Sequence, residues 1–132
     1  MAGILWREPN QVKWVGFRPA HRGTKIVKVG SVANGTLLVY TVSAGKTLHL
    51  AGSVAGALSP GGAGAKGFAY IQDDADVLWF SLGNQTYTDG EGGAAVAFCP
   101  AFPLEVPAGY DFVIYGRGAG LTMSLSIFGW EE

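Results

Sequence analysis

A single cysteine, Cys99, excludes an internal disulfide from this chain of 132 residues, so packing and hydrogen bonds have to hold the fold together. The Phe98 and Pro100 on either side of it predict a buried, inert thiol. Histidine is nearly as scarce, with only His21 and His49 present. A catalytic metal asks several imidazoles and carboxylates to converge on one ion, and two isolated histidines read instead as surface or packing residues. There is no Gly-x-Ser-x-Gly elbow and no Cys-His arrangement, so no nucleophile, cofactor or metal is assigned and an enzyme is not expected. No window holds the roughly 18 uninterrupted apolar residues of a membrane span. The start, Met1 to Glu8, does not read as a charged leader followed by an apolar run, so neither a span nor export is expected.

Charge is also sparse, at 14% of residues with a net of −1, but it is unevenly placed. Residues 1–30 hold Arg7, Lys13, Arg18, Arg22, Lys25 and Lys28 against Glu8, which is +5, and the remainder therefore carries −6. A basic end on an acidic body can steer a protein onto an acidic surface or onto its own copies, but six dispersed cations do not make a nucleic-acid site.

What is plentiful is glycine, at 21 positions, within a composition that is 48% hydrophobic, the profile of short strands joined by many tight turns. Residues 11–18 read as a strand, closed by the breaker Pro19-Ala20-His21-Arg22-Gly23. Further strands are predicted at about 24–33, 36–42, 46–54, 68–71, 77–82, 94–99, 102–106, 110–115 and 121–128. The last is the clearest: Leu121, Met123, Leu125 and Ile127 alternate with Thr122, Ser124 and Ser126, as a strand with one buried face requires. Leu48 and Leu50 alternate with Thr47 and His49 in the same way. Asn34-Gly35 is the strongest short hairpin signal, strands 110–115 and 121–128 are expected to pair across the loop 116–120, and the small residues 55–67 read as one long loop.

Val42-Ser43-Ala44-Gly45 returns 64 residues later as Val106-Pro107-Ala108-Gly109, and the match extends from Leu48 on Phe112 and Leu50 on Ile114 to Gly52 on Gly116. Each copy reads as a tight turn between two strands, Pro107 presetting the first corner. Strands spaced by turns every 8–12 residues, in two similar halves and with no helix, predict an all-β fold: an antiparallel β-sandwich, jelly-roll-like, with an extended N-terminal arm. An immunoglobulin-like sandwich is the alternative, weakened by the missing cysteine pair. The arm is assigned to 1–22 and the single sandwich domain to 23–132.

Motif-like spacings are few. Gly62-Ala63-Gly64-Ala65-Lys66-Gly67 has dinucleotide-loop spacing, but a strand follows where a helix is needed. Asp73, Asp74 and Asp76, or Asp89 with Glu91, could gather oxygens for Ca²⁺, yet neither group has the full spacing of a calcium loop and acidic turns are common. Trp6 and Trp130 lie near the chain ends, where large apolar rings suit a partner contact.

The Val-Pro-Ala-Gly turn, the glycine-rich loops and the closing strand Ile127-Phe128-Gly129-Trp130-Glu131-Glu132 resemble the small jelly-roll structural proteins of tailed bacteriophages, over about residues 36–132. The resemblance implies a virion component made in the host cytoplasm: a capsid decoration or cement protein, homo-oligomeric and often trimeric, bound to the major capsid protein or another virion protein. The expected contacts are Trp6, Arg7, Lys13, Trp14, Arg18 and Arg22 of the basic first segment, with Trp130. The competing expectation is a carbohydrate- or receptor-binding module of a phage tail, using loops 55–67, 83–93 and 116–120 with Tyr87 or Trp79 as a stacking platform.

Overall fold

In the computed structural model, the structure describes residues 23–59, 65–87, 92–118 and 120–132, the side chains of 85–87 excepted. The assigned arm, 1–22, lies outside them. The described residues form nine strands and no helix: β1 (Thr24–Val32), β2 (Gly35–Thr41), β3 (Leu48–Ser59), β4 (Ala65–Gln72), β5 (Leu78–Tyr87), β6 (Gly92–Phe98), β7 (Leu104–Val106), β8 (Asp111–Arg117) and β9 (Thr122–Glu131).

Two antiparallel sheets pack face to face. The first runs β1-β9-β3-β6 with β7 also on β3, and the second runs β2-β8-β4-β5. On β3, β6 covers Ser53–Ser59 and β7 covers Leu48–Leu50 along the edge that β9 leaves open, so β6 and β7 are one interrupted strand. Pro100 and Pro103 lie in the break and have no N–H for the ladder. Counted as one, β6 and β7 give the order 1-8-3-6 in the first sheet and 2-7-4-5 in the second, the double Greek key of a jelly roll. The break also exposes Cys99, which the sequence places inside, because the chain leaves the sheet there and Phe102 beside it is 81% exposed.

The alternation expected for β9 holds: Leu121, Met123 and Leu125 are fully buried and Ile127 is 1% exposed. They meet Phe112 and Ile114 of β8, Leu48 and Leu50 of β3, and Ile71 of β4 in one core. Small residues sit where a large one approaches from the other sheet. A Cβ on Gly67 would lie 2.7 Å from the Met123 sulfur, and one on Gly30 would lie 2.8 Å from Val39. That is how a sequence this rich in glycine builds strands: the absent side chain on one sheet is the space a side chain on the other occupies. It also explains residues 55–67, expected as a loop. Residues 55–59 belong to β3 and 65–67 to β4, with Ala55, Ala57, Ser59 and Ala65 turned inward.

Four of the expected turns are corners between the sheets and not hairpins. β1 and β2 flank Asn34-Gly35 but belong to different sheets, as do β8 and β9 on either side of 116–120. The paired Ser-Ala-Gly and Pro-Ala-Gly turns likewise carry the chain from the second sheet to the first and back again. The hydrogen bond from Tyr110 N to Pro107 O, 3.3 Å, makes Ala108 and Gly109 the corner residues, one place later than the sequence suggests. With Gly45 at φ 74° and Gly109 at φ 83°, both corners have the positive third position of a type II turn. They also interlock, since Val42 N donates to Tyr110 O and Gly109 N to Val42 O, each at 2.9 Å. Adjacent β4 and β5 do form a hairpin, closed by Asp73: its N–H donates to Val77 O, and its Oδ1 accepts from the N–H groups of Ala75 and Val77, all at 2.9 Å.

Candidate functional site

Each sheet has one face in the core and one face outward, and the two outward faces differ in chemistry. On the first sheet, the register places Val27, Val29 and Ser31 of β1 beside Phe128, Ser126 and Ser124 of β9. These neighbour Gly52, Val54 and Gly56 of β3, which in turn neighbour Ala97 and Ala95 of β6. Val27 and Val29 are each 71% exposed and Leu58 is 62% exposed, with Val54 and Phe128 at 42%. The residues between are Ser, Thr, Gly and Ala, so the face is flat and, among the described residues, carries no charge over most of its length. Phe128 is seated on Gly52, where a Cβ would come within 2.5 Å of the ring. The glycine leaves the aromatic a platform and lets it lie along the sheet.

Charge on this face gathers at one end, around Lys25, His49, Glu105 and Glu132. His49 stacks on Trp130 with ring centroids 5.1 Å apart and planes 10° from parallel. Glu132 Oε2 lies 3.3 Å from both the His49 Nε2 and the Trp130 Nε1 donor. Thr47 and Glu132 exchange backbone hydrogen bonds, so the closing residues are tied down within the chain. Trp130, expected to contact a partner, is therefore 7% exposed and packed against its own domain. The other six expected contact residues, Trp6, Arg7, Lys13, Trp14, Arg18 and Arg22, lie outside the described residues.

The outward face of the second sheet carries aromatic and polar side chains together. Along β4, Phe68, Tyr70 and Gln72 point the same way; opposite them on β5 are Asn84, Ser81 and Leu78 in turn. β5 bulges twice across this span, at Leu82 and at Trp79, where the pairing skips one residue. Bulges bend a strand and increase its twist, and here the bent edge leaves a groove of about 520 Å³ between β4 and β5. Phe68 stacks on Tyr115 of β8, centroids 6.0 Å apart. At the far end Gln72 Nε2 donates to Asp76 Oδ1 at 2.9 Å, and Asp76 is held at φ 62°, a conformation Asp tolerates better than most residues.

Of the earlier stacking candidates, Trp79 is 39% exposed but meets Tyr110 edge-on at 5.1 Å, away from the groove lining, and the side chain of Tyr87 lies outside the described residues. Of the groove residues the sequence singles out only Asp76, and that as a calcium oxygen, although Phe68-Ala69-Tyr70-Ile71-Gln72 alternates large outward side chains with Ala69 and Ile71, which are fully buried. Among the described residues no group of three His, Cys, Asp or Glu is placed to hold a metal ion, and the Asp73 carboxylate is engaged by its own turn. No helix among them is long and apolar enough to cross a membrane.

No family model matches this sequence, and no curated protein matches it. Among solved structures, a chain from Bacillus endospore appendages, described as a family of disulfide-linked pili, is similar at 14% identity and a TM-score of 0.40, over 92% of this chain and 97% of that one. A likeness of that degree assigns neither family nor function.

Proposed function

We propose that this chain is a non-enzymatic structural protein that associates with copies of itself through the uncharged outer face of the first sheet and decorates a larger particle. The single observation that carries this reading is that face: Val27, Val29, Val54, Leu58 and Phe128 exposed on one flat surface, with charge held to one end. Contiguous apolar surface of this kind is characteristic of interfaces, and a surface free of charge has no like-charge repulsion when it meets a second copy of itself. The particle implied by the phage resemblance is a virion, with the major capsid protein or another virion protein as partner and a trimer as the oligomer. In this reading the basic residues between Arg7 and Arg22 make the particle contact, and the sheet face makes the contact between copies.

Sedimentation velocity of the full chain tests the first part. A mass that is a multiple of 13.8 kDa is expected. Val29→Lys and Leu58→Lys should reduce it to the monomer with an unchanged circular dichroism spectrum, because both side chains point out of the sandwich. A chain that stays monomeric at every concentration overturns the reading. Deleting residues 1–20 should abolish particle binding while leaving the number of copies in the oligomer unchanged.

A further inference from the structure

We infer that the groove between β4 and β5 is a binding site for a neutral saccharide, separate from the face used for self-association. Its chemistry narrows the ligand by elimination. Among the described lining residues none is cationic, and Asp76 adds a carboxylate, so a phosphate, a nucleic acid or an acidic sugar would meet repulsion without a counter-charge. A wholly apolar ligand would cover the Gln72 amide, the Asp76 carboxylate and the Asn84 amide and strip their water without replacing it. A neutral polyhydroxylated ring satisfies both constraints. Its C–H face can lie on Phe68 and Tyr70, while its hydroxyls donate to Asp76 and exchange hydrogen bonds with Gln72, Ser81 and Asn84, which offer donors and acceptors in pairs.

The geometry fits this ligand in three respects. From Phe68 to Gln72 is four residues of strand, about 13 Å at the rise of an extended chain, longer than one sugar ring and suited to a short oligosaccharide. The volume of about 520 Å³ falls in the range of small-molecule sites. The polar end is fixed before any ligand arrives, since Asp76 is set by the Asp73-centred turn and bonded to Gln72 at 2.9 Å. Little ordering is left for binding to impose, which favours affinity in a shallow groove. Phe68 stacks on Tyr115, which narrows the orientations its ring can take.

The test is an array of neutral and anionic oligosaccharides probed with the full chain, followed by calorimetric titration of the strongest neutral hit. Binding is expected to weaken at least tenfold in Asn84→Ala and in Phe68→Ala, with the sedimentation mass unchanged. Asn84 is exposed, so that variant decides the matter if Phe68→Ala folds poorly. Three results overturn the proposal: no neutral saccharide binds the folded chain, anionic sugars alone bind, or a neutral sugar binds and Asn84→Ala leaves its affinity untouched. Failure here leaves the oligomer mass as it was, and loss of self-association leaves the groove intact, so the two proposals fail separately.

Discussion

The Tyr40 hydroxyl donates to Glu131 Oε2 at 2.6 Å, joining β2 of the second sheet to β9 of the first across 91 residues of sequence. The same carboxylate oxygen accepts the Ser43 N–H at 3.0 Å, so one buried acid ties a corner and both sheets together. Burial by itself pushes the Glu131 carboxyl up. The Ser43 and Tyr40 hydrogen bonds, with Lys46 nearby, outweigh that and hold it below the ordinary carboxylate value. For Tyr40, burial first and then the bond to Glu131 push the phenol up.

The signs fix the pH dependence. A carboxyl whose folded pKa is lowered adds stability that is present above its unfolded pKa and lost as pH falls through the folded one. A phenol whose folded pKa is raised adds stability that is complete below its unfolded value and lost as pH rises through the folded one. The pair should therefore stabilise across the neutral range and fail at both extremes. Tyr40→Phe removes the hydroxyl and should cost about 1–3 kcal/mol at neutral pH by urea denaturation, with a smaller difference once acid has protonated Glu131. Equal stability of the variant and the parent at neutral pH would show that the bond contributes nothing.

Ser53 poses the opposite case. Its side chain is fully buried on the inner face of β3, and its Oγ has no hydrogen-bond partner among the described residues. A buried hydroxyl without a partner has lost water and gained nothing for it, so Ser53→Ala should raise stability by about 1 kcal/mol. A thermal melt that moves down instead would mean the hydroxyl is satisfied, by an ordered water for instance.

Two glycines on neighbouring strands should respond differently to one added methyl. A Cβ on Gly129 would overlap the His49 backbone carbonyl, which cannot yield without breaking the β3–β9 ladder. On Gly52 the added atom meets the tip of Phe128, a ring 42% exposed and able to swing outward. Gly129→Ala is expected to cost more than about 3 kcal/mol, and Gly52→Ala less than about 1 kcal/mol. Gly52→Ala should still weaken self-association, because the displaced ring no longer lies flat on the face. Denaturation midpoints beside sedimentation masses separate the two effects.

The strand pattern was legible wherever one face is buried. The alternation in 121–127 and in Leu48 and Leu50 gave the right inward residues, because a period of two is a direct imprint of the pleat. Sheet membership was not legible, since Asn34-Gly35 turns a chain whether its strands go on to pair or separate into different sheets. The small residues of 55–59 and 65–67 look like loop in the sequence because their β-forming role depends on partners distant in sequence, such as Met123 over Gly67. The groove was hidden for a related reason. Its lining comes from both arms of one hairpin, and the two bulges that bring it together leave no signature in local composition. The packing of Trp130 on His49 was not legible either, because a large ring near a chain end can be held by its own domain as well as by a partner.

The interlocked corners allow the repeat to be tested energetically. Val42 and Val106 are 1% and 0% exposed, and each is followed three residues later by a glycine with positive φ. Alanine at Gly45 or at Gly109 is strained in that conformation and should cost about 1 kcal/mol at either site, with open space or an ordinary contact around the new methyl. If the corners acted independently, the double variant would lose the sum of the two. They do not act independently in this fold: the Gly109 N–H donates to the Val42 carbonyl, and the Val42 N–H to Tyr110. Distorting either corner loosens bonds that the other corner shares, so the second substitution has less left to break. The double variant should therefore lose measurably less than the sum, by at least about 0.5 kcal/mol in a double-mutant cycle. Strict additivity would show that the two turns, though matched in sequence and joined by hydrogen bonds, are energetically separate.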